Sequence, residues 1–305
     1  MSGLLANRKA MFGVAIMAMF MFVALFGPML VGDPQAFVAK PLQPPSAEHW
    51  LGTTGQGQDV FAQTVVGTRS SLLIGLLVGF SVVAIGSFVG TAAGYFGGRI
   101  DDALSTLINI FLIMPGLPLM VVMAAYLPPG PASIALVLIV TGWSWSARVL
   151  RSQALALRQK DFVAAAVVAG ESHLRIILVE ILPNMISLLA SACIGATIYA
   201  IAAQVGLEFL GLGEISSTTW GTNLYWATND AALLTGSWWT FVPTGVCVAL
   251  VGFALALINT ALDEIGNPRL RSERAFLKAI GQRAIRPDDP TPVLRTKPGA
   301  KKGEA

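Results

Sequence analysis

The stretch LLIGLLVGFSVVAIGSFVGTAAGY runs from Leu72 to Tyr95 without one charged side chain. A bilayer hydrocarbon core is about 30 Å thick, and roughly 20 helical residues at about 1.5 Å each cross it. This run is long enough, and the chain repeats the pattern. Further apolar runs lie at Met11–Met29, Ala103–Leu127, Ser133–Ala147, Met185–Leu210 and Phe241–Leu262. In lipid the backbone has no water to bond, so runs of this kind are predicted as helices. The expected fold class is an all-α polytopic membrane protein with six transmembrane helices. Composition agrees, since 12% of residues are charged against about 25% in soluble domains.

Charge then orients the chain. Eighteen of the 20 lysines and arginines fall before the first run, in alternate loops, or after the last run. Only Lys40 and Arg69 fall on the other side. Because Lys and Arg accumulate on the cytoplasmic side, both termini are predicted to be cytoplasmic. The plan is a cytoplasmic N-terminus over 1–10, one membrane domain over 11–266, and a basic tail over 267–305. Residues 33–70 and 211–238 become external segments, and 151–184 a cytoplasmic loop. The tail carries ten basic and four acidic residues and is predicted to be disordered and drawn to anionic lipid headgroups. Arg8 and Lys9 precede the first run, which exceeds a signal-peptide core and lacks an A-x-A site, so it reads as an uncleaved span.

Several chemistries are missing. No GxxxxGK[ST] cradle exists, and no lysine follows a glycine, so a phosphate-binding loop is not expected. HExxH and GxSxG are absent too. His49 and His173 are predicted on opposite sides of the membrane. Cys193 and Cys247 lie inside apolar runs and read as packing residues. No catalytic residue, metal site, cofactor or nucleic-acid partner is expected in this chain, whereas membrane lipid is. Buried carboxylates are scarce, which counts against a proton-driven carrier; energy, if used, comes from another chain.

Two places in the spans stand out. MPGLP puts Pro115 and Pro118 in the third run, where lost backbone donors predict a kink or local unwinding. A packing kink and a gate or path-lining element both remain open. Gln204 and Glu208 near the outer end of the fifth run are polar residues in a costly place. Reaching the interface, pairing with a neighbour and lining a solute path are all open for Glu208. Trp220, Trp226 and Trp238 in the second external segment read first as interfacial belt residues, with a lid or docking surface as the alternative.

The cytoplasmic loop contains KDFVAAAVVAGESHLRIILVEILPN, residues 160–184. Asp161 is placed to cap a short helix, FVAAAVVA continues it, and Gly170 stops it. Ser172 is placed to cap a second helix, Glu171 and Arg175 have ion-pair spacing, and that helix is predicted to end at Pro183. The first helix is too short and apolar to stand alone in water. It either fills a groove in a partner or belongs to a hairpin lying on the membrane surface.

These residues carry a family resemblance. Gly170, nine intervening residues and EILP resemble the EAA loop of permease subunits in bacterial ATP-binding-cassette importers. HWLGTTGQGQDVFAQTVVGTRSSLLIG, GTAAGYFGGRIDDAL, GLEFLGLG followed by WGTNL, and ALINTALDEIGNPRLR are similar to motifs of the C-type permease in the dipeptide, oligopeptide and nickel group. The resemblance covers nearly the whole chain. It implies a type I importer fold, a bacterial inner-membrane location, a B-type permease partner, two ATP-binding subunits that hold ATP and Mg, and an external solute-binding protein. It implies coupling to the ATPases through Asp161, Phe162, Ala164, Ala165, Ala166, Gly170, Glu171, Leu182 and Pro183. It implies a peptide solute, with oligosaccharides or nickel as alternatives. A stand-alone channel, a secondary carrier and a non-transporting scaffold are the rival classes. The sequence departs from the family at Ala164, where relatives keep Glu, at Glu180 for a frequent His, at Thr54 and Gln58 in GTTGQGQD, and at Glu208 for a small residue.

Overall fold

The computed structural model describes residues 8–266. The helices are α1 (Arg8–Leu30), α2 (Val60–Phe96), α3 (Gly98–Ile113), α4 (Gly116–Tyr126), α5 (Pro131–Arg158), α6 (Asp161–Val168), α7 (His173–Arg175), α8 (Ile186–Phe209), α9 (Trp220–Asn229), α10 (Ala232–Thr235) and α11 (Val242–Gly266). A π-turn over Ile176–Ile181 and a 3₁₀ turn over Pro183–Met185 join α7 to α8. Another 3₁₀ turn, Trp238–Thr240, precedes α11. The only β pairing among the described residues is an isolated bridge between Thr53 and Asp59. Five helical stretches are long and apolar enough to cross a membrane, and six when the bent pair α3–α4 counts as one span. The basic tail over 267–305 and residues 1–7 lie outside the described residues.

α2 starts earlier than its apolar run. Asp59 caps it, its carboxylate accepting from the Ala62 N–H at 3.0 Å. The 37 residues extend about 55 Å, so the helix projects well beyond the bilayer core. Residues 60–70, expected in the external segment, are therefore helical. Thr64 and Thr68 donate to the carbonyls of Val60 and Thr64 at 2.8 and 2.9 Å, which satisfies their hydroxyls inside the helix.

α2 is also the central post. It packs most extensively on α5, next on α8, then on α1. Lipid tails are as apolar as leucine, so close van der Waals approach must hold these helices together. Gly86, Gly90 and Gly94 repeat every fourth residue and face α5. A Cβ at Gly90 would lie 2.3 Å from the Ala147 carbonyl oxygen, and one at Gly94 2.7 Å from that of Arg151. The interface has no room for a side chain on this stripe.

The third span breaks. α3 and α4 meet at Met114–Pro115 with an 87° bend. Pro115 takes the N-cap of α4 in an extended conformation, and Pro118 falls in its first turn. There the missing N–H is one that a helix start leaves unpaired anyway. Four apolar clusters fill the interior. One joins Val78 and Val82 of α2 with Met120, Ala124, Ile134, Leu138 and Ala200. A second joins Phe20, Leu72, Val205, Trp220, Val251 and Leu255. Trp220 is thus a core residue and not a belt residue. It is 0% exposed, and its ring meets Phe20 edge-on at 6.1 Å.

Candidate functional site: the helical handle, a membrane cavity and the Glu208 node

α6 is an eight-residue helix. Lys160 occupies its N-cap without a side-chain bond, and Asp161 is its first residue. This corrects the expectation that Asp161 caps the helix, although its charge still favours a helix start. The other end follows the prediction. Gly170 adopts φ +78°, its N–H donates to the Val167 carbonyl, and the Glu171 N–H reaches back to Ala166. These two bonds are a Schellman stop, which requires a left-handed residue. Nothing lies within 4 Å of a Cβ built on Gly170, so the requirement there is conformational and not steric.

The next helix begins as expected. Ser172 caps it, accepting from the Arg175 N–H, and Glu171 pairs with Arg175 at 2.9 Å. It does not end at Pro183. The helical path continues from His173 to Phe209, passing the proline through a π-turn closed by Leu182 N–H to the Ile177 carbonyl and a 3₁₀ turn. Wider and tighter turns absorb the donor that Pro183 lacks. The handle is thereby continuous with the fifth span.

One face of the handle is anchored. Val163, Ile176, Ile181 and Met185 are buried against Tyr95, Leu150 and Ala154. Tyr95 Oη and His173 Nδ1 are hydrogen-bonded at 2.9 Å, which ties α2 to the start of α7. The opposite face of α6 is open. Phe162, Ala164, Ala165 and Ala169 are exposed, and Val168 is 88% exposed. Ala166 and Leu182 are half-buried and Pro183 is exposed.

A cavity of about 670 Å³ opens in the membrane region beside the broken third span, bounded by α3, α4, α5, α8 and α11. Met114 and Gly116 flank Pro115 on its wall, and Phe111, Trp145 and Tyr199 supply aromatic surface. Pro115 and Pro118 are exposed beside it. Gln204 and Glu208 are not on this wall. They are 0% and 3% exposed in the chain's own interior. Gln204 Nε2 donates to Glu208 Oε1 at 3.1 Å, and the Thr219 hydroxyl donates to Oε2 at 2.6 Å. The Gly221 N–H also donates to this carboxylate. A Cβ at Gly221 would sit 2.4 Å from Oε2, so glycine is needed for the approach. The carboxylate faces the N-terminus of α9, which favours negative charge.

The model of binding-protein-dependent transport system inner membrane components matches residues 83–265, more than half of the chain. The chain belongs to the binding-protein-dependent permeases. Among curated relatives, the dipeptide transport system permease protein DppC of Bacillus subtilis is 33% identical over 87% of this chain and 83% of its own length. The oligopeptide transport system permease protein OppC of the same organism is 30% identical over 87% of each chain. OppC of Mycobacterium bovis is 33% identical over 88% of this chain and 94% of its own. The protein is thus a multi-pass inner-membrane transport permease of the dipeptide and oligopeptide group.

The segment between α1 and α2 is clasped to the one between α8 and α11. The Gly55 N–H and Gln56 Nε2 donate to the two carboxylate oxygens of Asp230, at 3.1 and 3.3 Å. Trp239 Nε1 donates to the Thr53 carbonyl at 3.2 Å. The Thr54 hydroxyl accepts from the N–H groups of Gln56 and Gln58 at 3.2 and 3.1 Å. A short acceptor side chain two residues before a turn N–H does this whether it is Asp or Thr. Sequence reading missed the clasp, because residues 175 positions apart in the chain give no local signal.

Burial raises the Asp230 pKa above the usual carboxylate value, more than its hydrogen bonds lower it. The folded permease therefore holds this proton more tightly than the unfolded chain. The stabilisation is greatest below the ordinary value and is lost as pH rises through the raised one. Asp230→Asn resembles the protonated form and is expected to remove that pH dependence, read as thermal melting temperature against pH in detergent.

Proposed function

We propose that this permease is one membrane half of an ATP-driven importer of dipeptides or oligopeptides. Its expected partners are a B-type permease, two ATP-binding subunits that carry the ATP and Mg, and an external solute-binding protein. Both termini face the cytoplasm in this reading, as the Lys and Arg distribution favours. The observation that carries it is the handle, an apolar helix anchored on one face and open on the other, continuous with a membrane span. Movement of a nucleotide-binding partner that grips Phe162, Ala164 and Val168 passes through Ile176–Met185 into α8. With Ala164 in place of a family Glu, the grip depends on shape and apolar fit. Peptide names on relatives at 30–33% identity support the solute class. Pro115 and Pro118 place the cavity beside a broken span, where irregular backbone is tolerated if it lines a path.

Gly170→Val tests the handle. A β-branched residue in the left-handed region costs about 1–2 kcal/mol or more, which tilts or unwinds α6. In the assembled complex, substrate-stimulated ATP hydrolysis is expected to fall at least about tenfold, since 1.4 kcal/mol is a factor of ten. Asn tolerates this backbone, so Gly170→Asn should retain most coupling. Full coupling in the valine variant would remove the assigned role.

A further inference from the structure

No ionisable carboxylate, amine, guanidinium or imidazole is on the wall of the 670 Å³ cavity. Its polar side chains are hydroxyls, the Trp145 indole and one carboxamide, and the carboxamide oxygen is left over by the fold. Asn259 Oδ1 is buried with no hydrogen-bond partner. Buried polar groups are ordinarily paired, and this one belongs to a residue lining a cavity in a membrane protein. Ser144, on the same wall, is 3% exposed. Other hydroxyls on the wall are already used, Thr141 on the Val137 carbonyl and Ser191 on Asp263.

We propose that Asn259 and Ser144 are solute contacts that read the main chain of a passing peptide. The Asn259 carboxamide oxygen accepts from a peptide N–H, and the Ser144 hydroxyl donates to a peptide carbonyl. This rests on the importer reading above and specifies its solute chemistry. A path with these two groups and no fixed charge engages what all peptides share and is indifferent to side-chain charge. A bare divalent cation finds no carboxylate or imidazole on the wall, so it is poorly served.

The test introduces a charge on the wall itself. The full complex, with its binding protein and ATPase subunits, is reconstituted in proteoliposomes, and uptake of Ala-Lys-Ala and Ala-Glu-Ala is measured at saturating binding protein. The native complex is expected to move both at similar maximal rates. In Asn259→Asp, like-charge repulsion in a site of low dielectric should slow Ala-Glu-Ala relative to Ala-Lys-Ala by about fivefold or more. A merely structural defect would slow both peptides alike. Ser144→Asp on the neighbouring helix is expected to discriminate in the same direction and serves if the first variant fails to assemble. Equal uptake of both peptides by an assembled aspartate variant overturns the contact. A native complex that hydrolyses ATP but takes up neither peptide overturns the peptide-importer reading itself.

Discussion

Glu208→Leu is expected to destabilise the permease by roughly 3 kcal/mol or more, because each buried donor stripped of its acceptor costs about 1–3 kcal/mol. The leucine fills similar space but accepts nothing. It strands the Gly221 N–H and the Gln204 amide in the interior and leaves the Thr219 hydroxyl only Thr222 as a partner. The segment that opens α9 then loses its hold on the end of α8, and α9 loses the carboxylate at its N-terminus. Glu208→Gln keeps the shape and one acceptor, so its cost should be near 1 kcal/mol. The measurement is thermal melting of the purified complex in detergent, with the amount of permease in the membrane as a second readout. A leucine variant as stable as the native protein would show that the node carries no stability.

Gly90→Leu should be at least as damaging. The Cβ alone would sit 2.3 Å from the Ala147 carbonyl oxygen and 3.0 Å from the Arg151 nitrogen. Both are backbone atoms, so no side chain can swing aside and α2 must move away from α5. That opens the most extensive helix pair in the fold. Overpacking of this kind costs about 1–3 kcal/mol even for small additions, so Gly90→Ala should lower the melting temperature and Gly90→Leu should prevent accumulation in the membrane. Gly206 is the control, since nothing lies within 4 Å of its Cβ position. Gly206→Ala should be neutral or stabilising by up to about 1 kcal/mol through helix propensity. Equal behaviour of Gly90→Ala and Gly206→Ala would argue against close backbone contact at the glycine stripe.

Some of these features lay open in the chain because their causes are local. A 24-residue run without charge between Leu72 and Tyr95 demands a helix in lipid. Gly170 must stop α6, since its φ of +78° suits almost no other residue. Ser172 and the Glu171–Arg175 pair act within one helical turn. Local patterns misled where two rules competed. Asp161 is as good a first-turn residue as a cap, and Pro183 breaks a helix only if no wider turn absorbs it.

What the sequence by itself determined is the membrane class, the family and the short helix that Gly170 stops, because hydrophobic length, turn chemistry and helix caps act over a few residues. The tertiary structure decided which polar residues are used and which are left over. Glu208 finds Thr219 and Gly221, and Asp230 finds Gly55, across loops that no spacing rule connects. Ser144 and Asn259 lie on different helices and become notable only because packing brings both to one cavity and leaves the Asn259 carboxamide oxygen without a partner. Long-range pairing depends on how the helices pack, and in lipid that depends on fit between backbones set by the glycines of α2.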